Sequence, residues 1–335
     1  MYPPPFAGVG IYIKRTIGLL DAEKITYHLF NHGTFKSKNI SPTYRKYSWW
    51  IRFFIYSLIN RKEINRNQTL FHLHIISYFQ YIFIYFYNKF ITNRIIISIH
   101  NQNALSYSKI QFALFVLILS KLKVIGIFSV SRKLSWILRK NGIQAIFVSP
   151  FIPFKVKNRI DISNKDPKIK YLSTSLGGFD DYFIKRYGLD ILLKALDHFQ
   201  DICLYIFLSS NKKGYQIDYL KKYVLNEELL NRIVLIKNQK LTDYLHNFIA
   251  YIRPNREDGY GISVAESIFL EIPTIASDVC HRPRGTYVFK NEDVEDLKSN
   301  IILILNNPKL SFNQKMKIEK EYDLIKTYKT FIQKK

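Results

Sequence analysis

Residues 253–266 read Arg-Pro-Asn-Arg-Glu-Asp-Gly-Tyr-Gly-Ile-Ser-Val-Ala-Glu, residue types and a spacing suited to holding an anion beside hydroxyls. The apolar run 248–252 predicts a strand leading in, Gly259 and Gly261 loosen the turn, and a second apolar run predicts a helix from about residue 263. The first N–H groups of such a helix, and the positive end of its dipole, point at whatever binds there. Asp258 and Glu266 flank the turn, and carboxylates accept hydrogen bonds from hydroxyls. The matching ligand carries phosphates at one end and hydroxyls at the other. A plainer reading makes Ser263-x-x-Glu266 a capping box, but it leaves Asp258, Gly259 and Gly261 unexplained.

Other residues invite the same question. His100, within Ser98-Ile99-His100-Asn101, ends a predicted strand, and ligands of open α/β sheets sit beyond the carboxyl ends of strands. His72 and His74 alternate along the preceding strand and are read as facing opposite sides of the sheet. They lack the convergent partners a metal needs, so no metal site is expected. Gly8-Val9-Gly10, ahead of a helix with Lys14 and Arg15, suits a turn approaching phosphates, although an ordinary turn reads almost the same. Residues 43–66 interleave Tyr44, Tyr47, Trp49, Trp50, Phe53, Phe54 and Tyr56 with Arg45, Lys46, Arg52, Arg61 and Lys62. That pattern fits an interfacial membrane helix, a core helix with a basic face or, least well, a surface stacking on single-stranded nucleic acid.

Positioning these groups takes a large α/β chain. Its 335 residues, 47% hydrophobic, are enough for two domains with real cores. The net charge of +24 is uneven: residues 1–150 hold 20 Lys/Arg against Asp21, Glu23 and Glu63, near +17. Such a surface attracts polyanions or an anionic membrane face. No nucleic-acid recognition motif accompanies it, so nucleic acid is not an expected partner. Two cysteines, Cys203 and Cys280, fit a reducing compartment without a disulfide framework. The opening residues have neither the basic nor the apolar region of a signal peptide.

Strands are predicted at 70–76, 95–99, 123–130, 145–148, 169–173, 202–208, 232–236, 248–252, 273–276 and 287–289. Helices are predicted at 78–90, 106–120, 132–141, 189–199, 215–225, 241–247, 263–270 and 293–305. The alternation argues for parallel sheets. A polar stretch after Ser149-Pro150 separates a domain at 1–152 from one at 153–310, with a charged helix over 311–335. Pro3-Pro4-Pro5 stands where a first buried strand belongs, so the first strand of the N-terminal domain is expected to be missing.

The acid–x7–Glu spacing around Gly-Tyr-Gly, followed by Ile-Pro-Thr-Ile-Ala-Ser-Asp at 272–278, resembles the donor site of retaining glycosyltransferases of family 4 (group 1). Arg253-Pro254 and Arg282-Pro283-Arg284-Gly285-Thr286 resemble a bacterial surface-polysaccharide branch. The resemblance implies a GT-B fold of two Rossmann-like domains, with residues 311–335 crossing back to the first. It implies a nucleotide-sugar donor, a lipid-linked or oligosaccharide acceptor, retention of anomeric configuration, no metal or other cofactor, and work at the cytoplasmic membrane face. It assigns Glu266 to the nucleotide ribose, Asp258 to donor-sugar hydroxyls, and Gly259, Tyr260, Gly261 and Ile262 to the nucleotide loop. His100 falls near the donor sugar, and Gly8 and Gly10 near the phosphates.

The sequence departs from the family in places. Asp258 stands where Glu is usual, and Ser173-Thr174-Ser175 and Tyr187 replace the two cations that grip the diphosphate. Lys185 and Arg186 are displaced, and Arg253 is read as the substitute. Glu271 occupies a position where a left-handed helix cap favours Gly, at ~1 kcal/mol. The missing first strand and the altered 173–190 loop leave an alternative, a non-catalytic GT-B subunit that binds a partner or a membrane lipid.

Overall fold

The computed structural model describes residues 8–24, 58–59, 62, 71–75, 79–90, 94–100, 107–156, 158–163, 166–209 and 216–307. The expected helix at 311–335 lies outside them, as does the aromatic-cationic segment 43–66 except for residues 58, 59 and 62. Chain contacts define two compact units, one built on Thr16–Pro150 and the other on Phe151–Glu319 together with Pro3–Arg15.

In the first unit the strands β1 (Phe71–Ile75), β2 (Ile95–Ile99), β3 (Gly126–Ser129) and β4 (Ala145–Phe147) pair in parallel, in that spatial order. Among the described residues the first element is a helix, α1 (Gly8–Ala22), and the first strand is β1. Odd residues of β2 and β1, Ile95, Ile97, Ile99, Phe71 and Leu73, face an aromatic-rich core. That core includes Tyr81, Ile84 and Tyr87 of α2 (Phe79–Phe90) and Phe115 and Leu119 of α3 (Lys109–Lys121), spaced three or four apart as one helix face requires. Helix α4 (Arg132–Lys140) starts on the Ser131 side chain, which accepts from the Leu134 amide.

The second unit is a six-stranded sheet: β5 (Lys170–Leu176), β6 (Ile202–Leu208), β7 (Ile233–Lys237), β8 (Ala250–Arg253), β9 (Thr274–Ser277) and β10 (Tyr287–Phe289). The spatial order is β7-β6-β5-β8-β9-β10, all parallel. This is the doubly wound 3-2-1-4-5-6 order, whose direction reverses between the first and fourth strands. Both faces are covered, so β6 is apolar almost throughout. Leu204, Ile206 and Leu208 enter one core while Tyr205 and Phe207 enter the other.

The helices α5 (Asp181–Arg186), α6 (Leu189–Leu196), α7 (Ile262–Phe269) and α8 (Val294–Asn306) flank this sheet. Helix α5 was not foreseen; Asp180 starts it by accepting from the Phe183 amide. The expected helices at 215–225 and 241–247 are 3₁₀ turns instead. Their bonds run from residue i to i+3, as in Tyr219 N–H to Gln216 C=O at 3.2 Å and Tyr244 N–H to Leu241 C=O at 3.0 Å. Among the described residues no helix is long and apolar enough to cross a membrane.

Candidate nucleotide-sugar site

The reversal point between β5 and β8 places Ser175 and Arg253 side by side near the carboxyl ends of their strands. Buried Tyr251 ties them together: its hydroxyl lies 2.6 Å from Ser175 Oγ and donates to Ser263 Oγ at 2.8 Å. The Arg253 guanidinium donates to Ser263 Oγ at 3.2 Å and lies 5.5 Å from the centre of the Tyr187 ring. Tyr187, the residue standing where a cation was expected, therefore packs on Arg253. The displaced cations are engaged elsewhere. Lys185 pairs with buried Asp190 at 2.7 Å, and Arg186 lies 3.4 Å from Glu257.

Arg256 braces the loop behind Asp258. It reaches both Asp190 oxygens, at 2.7 and 3.1 Å, and donates to Lys185 C=O and Glu292 at 2.6 Å each. Gly188 is required at the neighbouring crossing. Its φ is +64°, and a Cβ there would lie 1.8 Å from the Pro254 carbonyl oxygen, far inside contact distance.

Asp258 is the electrostatic centre. Its carboxylate takes Arg253 Nε at 2.6 Å, Arg282 Nη1 at 2.7 Å, the Gly259 amide at 2.8 Å and Arg253 Nη2 at 3.5 Å. Burial alone would raise its pKa, but the two guanidiniums outweigh that and hold it well below the usual carboxylate range. The four donors match the roughly four lone-pair positions of a carboxylate, so any further hydrogen-bond donor must displace one of them to bind. Two cations around one carboxylate also leave a surplus positive charge. Arg282 carried no assigned role in the sequence. The structure buries it, with its Nε donating to the Ser277 carbonyl at 2.7 Å. The only signal was its place in the Arg-Pro-Arg-Gly-Thr loop after β9.

Gly261 begins α7 in the left-handed region at φ +75°, and a Cβ there would meet Arg282 Nη1 at 2.8 Å and Asp258 Oδ2 at 3.2 Å. Gly259 precedes it, Tyr260 lies between the two glycines, and Ile262 is the first helical residue. The capping-box reading fails because Gly261, not Ser263, is the N-cap, and Glu266 lies more than a turn inside the helix. At the other end Glu271 is left-handed at φ +62°. Its amide donates to Ile268 C=O and that of Ile272 to Ser267 C=O, both at 2.9 Å, as a Schellman cap requires.

Glu266 is buried and paired with Arg15 Nη2. Burial raises its pKa, with Arg15 opposing. Gly8 and Gly10 do not form a loop ahead of the helix. They lie inside the first turn of α1, and Arg15 is the α1 residue that meets Glu266.

His100 lies in the first unit, beyond the end of β2. His74 Nδ1 is 2.9 Å from His100 Nε2, and His72 Nε2 is 2.6 Å from Ser98 Oγ. His72 and His74 share one face with ring centres 4.2 Å apart. The expectation of opposite faces is therefore wrong, since residues two apart on a strand point the same way. Desolvation first, and repulsion from His100, bring His72 down to about 3. Desolvation also brings His100 to about 3, and His74 is lowered as well. Among the described residues no cluster of His, Cys, Asp or Glu is arranged to hold a metal ion.

Residues 181–321 match the family Glycosyl transferases group 1. The fold is that of GT-B glycosyltransferases. Sucrose-phosphate synthase from Thermosynechococcus elongatus is similar with a TM-score of 0.67 and 14% identity over 92% of this chain and 86% of its own. The lipopolysaccharide outer core galactosyltransferase WaaB gives 0.58 and 13% over 99% and 97%. A mutant of S. aureus TarM, in complex with fondaparinux, alpha-GlcNAc-glycerol and UDP, gives 0.55 and 16% over 74% and 53%. This chain thus spans about half the length of TarM. No curated protein sequence matches the chain.

Proposed function

We propose that the chain is a retaining glycosyltransferase of the family-4 type that moves a sugar from a nucleotide-sugar donor to a lipid-linked or saccharide acceptor, without a metal, in surface-polysaccharide synthesis. The observation that carries this reading is the Gly259–Gly261 turn opening α7 at the sheet's reversal point, with Asp258 and its two arginines on one side and Glu266 within the helix. Glu266 holds the ribose. The α7 amides, the helix dipole and Arg253 with Arg282 take the charge that develops on the leaving diphosphate. When one guanidinium turns to phosphate, it vacates a position on Asp258 that a donor-sugar hydroxyl fills. His100, at the end of β2, is kept as a second catalytic residue of this reading. The group 1 match over 181–321 and the UDP in the TarM complex support the ligand class.

Glu266→Ala tests it. Losing an acceptor for ribose hydroxyls weakens nucleotide diphosphate binding by ~1.5–3 kcal/mol, read by calorimetry. Unchanged affinity and turnover in this variant would show that Glu266 does not hold the donor. Nucleotide binding without sugar transfer to any acceptor would favour the non-catalytic subunit.

The basic first half is the part that reaches an anionic membrane at the cytoplasmic face. Its excess of 17 cations contributes ~1 kcal/mol for each one close to the lipid surface. Co-sedimentation with anionic vesicles then falls as salt rises, and equal binding to neutral vesicles sinks this part.

A further inference from the structure

Arg15 makes only part of the hydrogen bonds its position demands. Its side chain is 10% exposed. One edge, Nη2, donates to Glu266, and the guanidinium lies over Phe154, 4.0 Å from the ring centre, with Phe151 at 5.9 Å. The other nitrogen, Nη1, is buried and has no hydrogen-bond partner among the described residues. Orphaned buried donors are rare because each gives up its hydrogen bonds to water without replacement, and the loss is greater when the group is charged. The aromatic shelf fixes the plane of the guanidinium, and Glu266 fixes its rotation, so Nη1 is held in a set direction beside that carboxylate.

We infer that Arg15 is a ligand-binding residue of the donor site, with Nη1 set to donate to an oxygen that the nucleotide brings, either a ribose hydroxyl or a diphosphate oxygen. This rests on the reading of Glu266 as a nucleotide-binding carboxylate. The planar fork matters, not charge alone. A guanidinium can give one N–H to Glu266 and another to the ligand from one rigid plane, whereas an ammonium has no second fixed edge. Arg15 then does two things at once: it offsets the charge of a buried carboxylate and completes the grip on the ligand that carboxylate holds.

The test is calorimetry on the full chain with UDP, GDP and ADP and their nucleosides, for the wild type, Arg15→Lys and Arg15→Gln. Arg15→Lys keeps the charge opposite Glu266, so its unliganded melting temperature stays near the wild type while nucleoside diphosphate affinity falls at least tenfold. A loss shared by the nucleoside assigns Nη1 to the ribose; a loss confined to the diphosphate assigns it to phosphate. Unchanged affinity in both variants overturns the inference. So does tighter binding in Arg15→Gln, which would make Arg15 a plug over Glu266. If the wild type binds none of the three diphosphates, the proposed function itself falls. A wild type that binds, with variants that bind equally well, removes only Arg15.

Discussion

Two clusters of ionisable side chains sit against parallel sheets, and they meet the cost of burial in opposite ways. In the first unit His72, His74 and His100 give up their charge: with two of them at about 3 and the third also lowered, all are neutral at pH 7 and pass hydrogen bonds to one another and to Ser98. In the second unit Arg253, Asp258 and Arg282 keep their charges and pair them. Arginine cannot neutralise itself in a protein, so a buried arginine needs an anion, whereas histidine does not. A surplus of fixed positive charge therefore survives only in the second cluster, the one of the two able to attract an anion.

Removing the anion breaks this contrast most severely. Asp258→Ala leaves Arg253 and Arg282 buried and facing each other, and stripping one member from a buried ion pair costs ~3–5 kcal/mol. Urea unfolding measures it, and a loss below ~1 kcal/mol would mean that solvent already screens the pair.

Acid separates the clusters next. Unfolded imidazoles bind protons near pH 6.5, while the folded ones resist until about pH 3. The histidine contribution is thus fully present above pH 6.5 and drains as pH falls towards 3. Each proton taken up on unfolding gives a slope of up to ~1.4 kcal/mol per pH unit. His74→Gln shallows that slope between pH 6.5 and 4. An unchanged slope would show that the cluster does not stay neutral. Asp258 is lost in the same sense but in a lower window. Its pKa is depressed, so its contribution is fully present above the ordinary carboxylate value of 3.8 and drains as pH falls below it.

The smallest effect sharpens the comparison. Ser98→Ala deprives His72 of its 2.6 Å partner and costs ~1 kcal/mol, well under the loss at Asp258. Equal losses at the two positions would erase the distinction between a neutral network and a charged one.

How far these clusters were legible depended on distance along the chain. The 253–266 segment could be read because strand, glycines, acids and helix are contiguous, and the left-handed caps at Gly261 and Glu271 follow from local backbone chemistry. The strands at 95–99, 202–208 and 287–289 fall where their apolar runs placed them. Arg282 was invisible as a partner of Asp258 because nothing local links residues 24 apart. The 3₁₀ turns at 217–223 and 241–247 were read as helices, since side-chain spacing hardly separates the two forms over so few residues. His72 and His74 were misread against the two-residue period that places both on one face.

The Arg15–Glu266 pair joins residues 251 positions apart. On a ribosome adding ~5–20 residues each second, the arginine waits roughly 10–50 s before its glutamate is made. The buried pair therefore cannot exist on a half-made chain. A nascent protein carries the arginine without its anion, and a chain cut short before residue 266 never forms this pair.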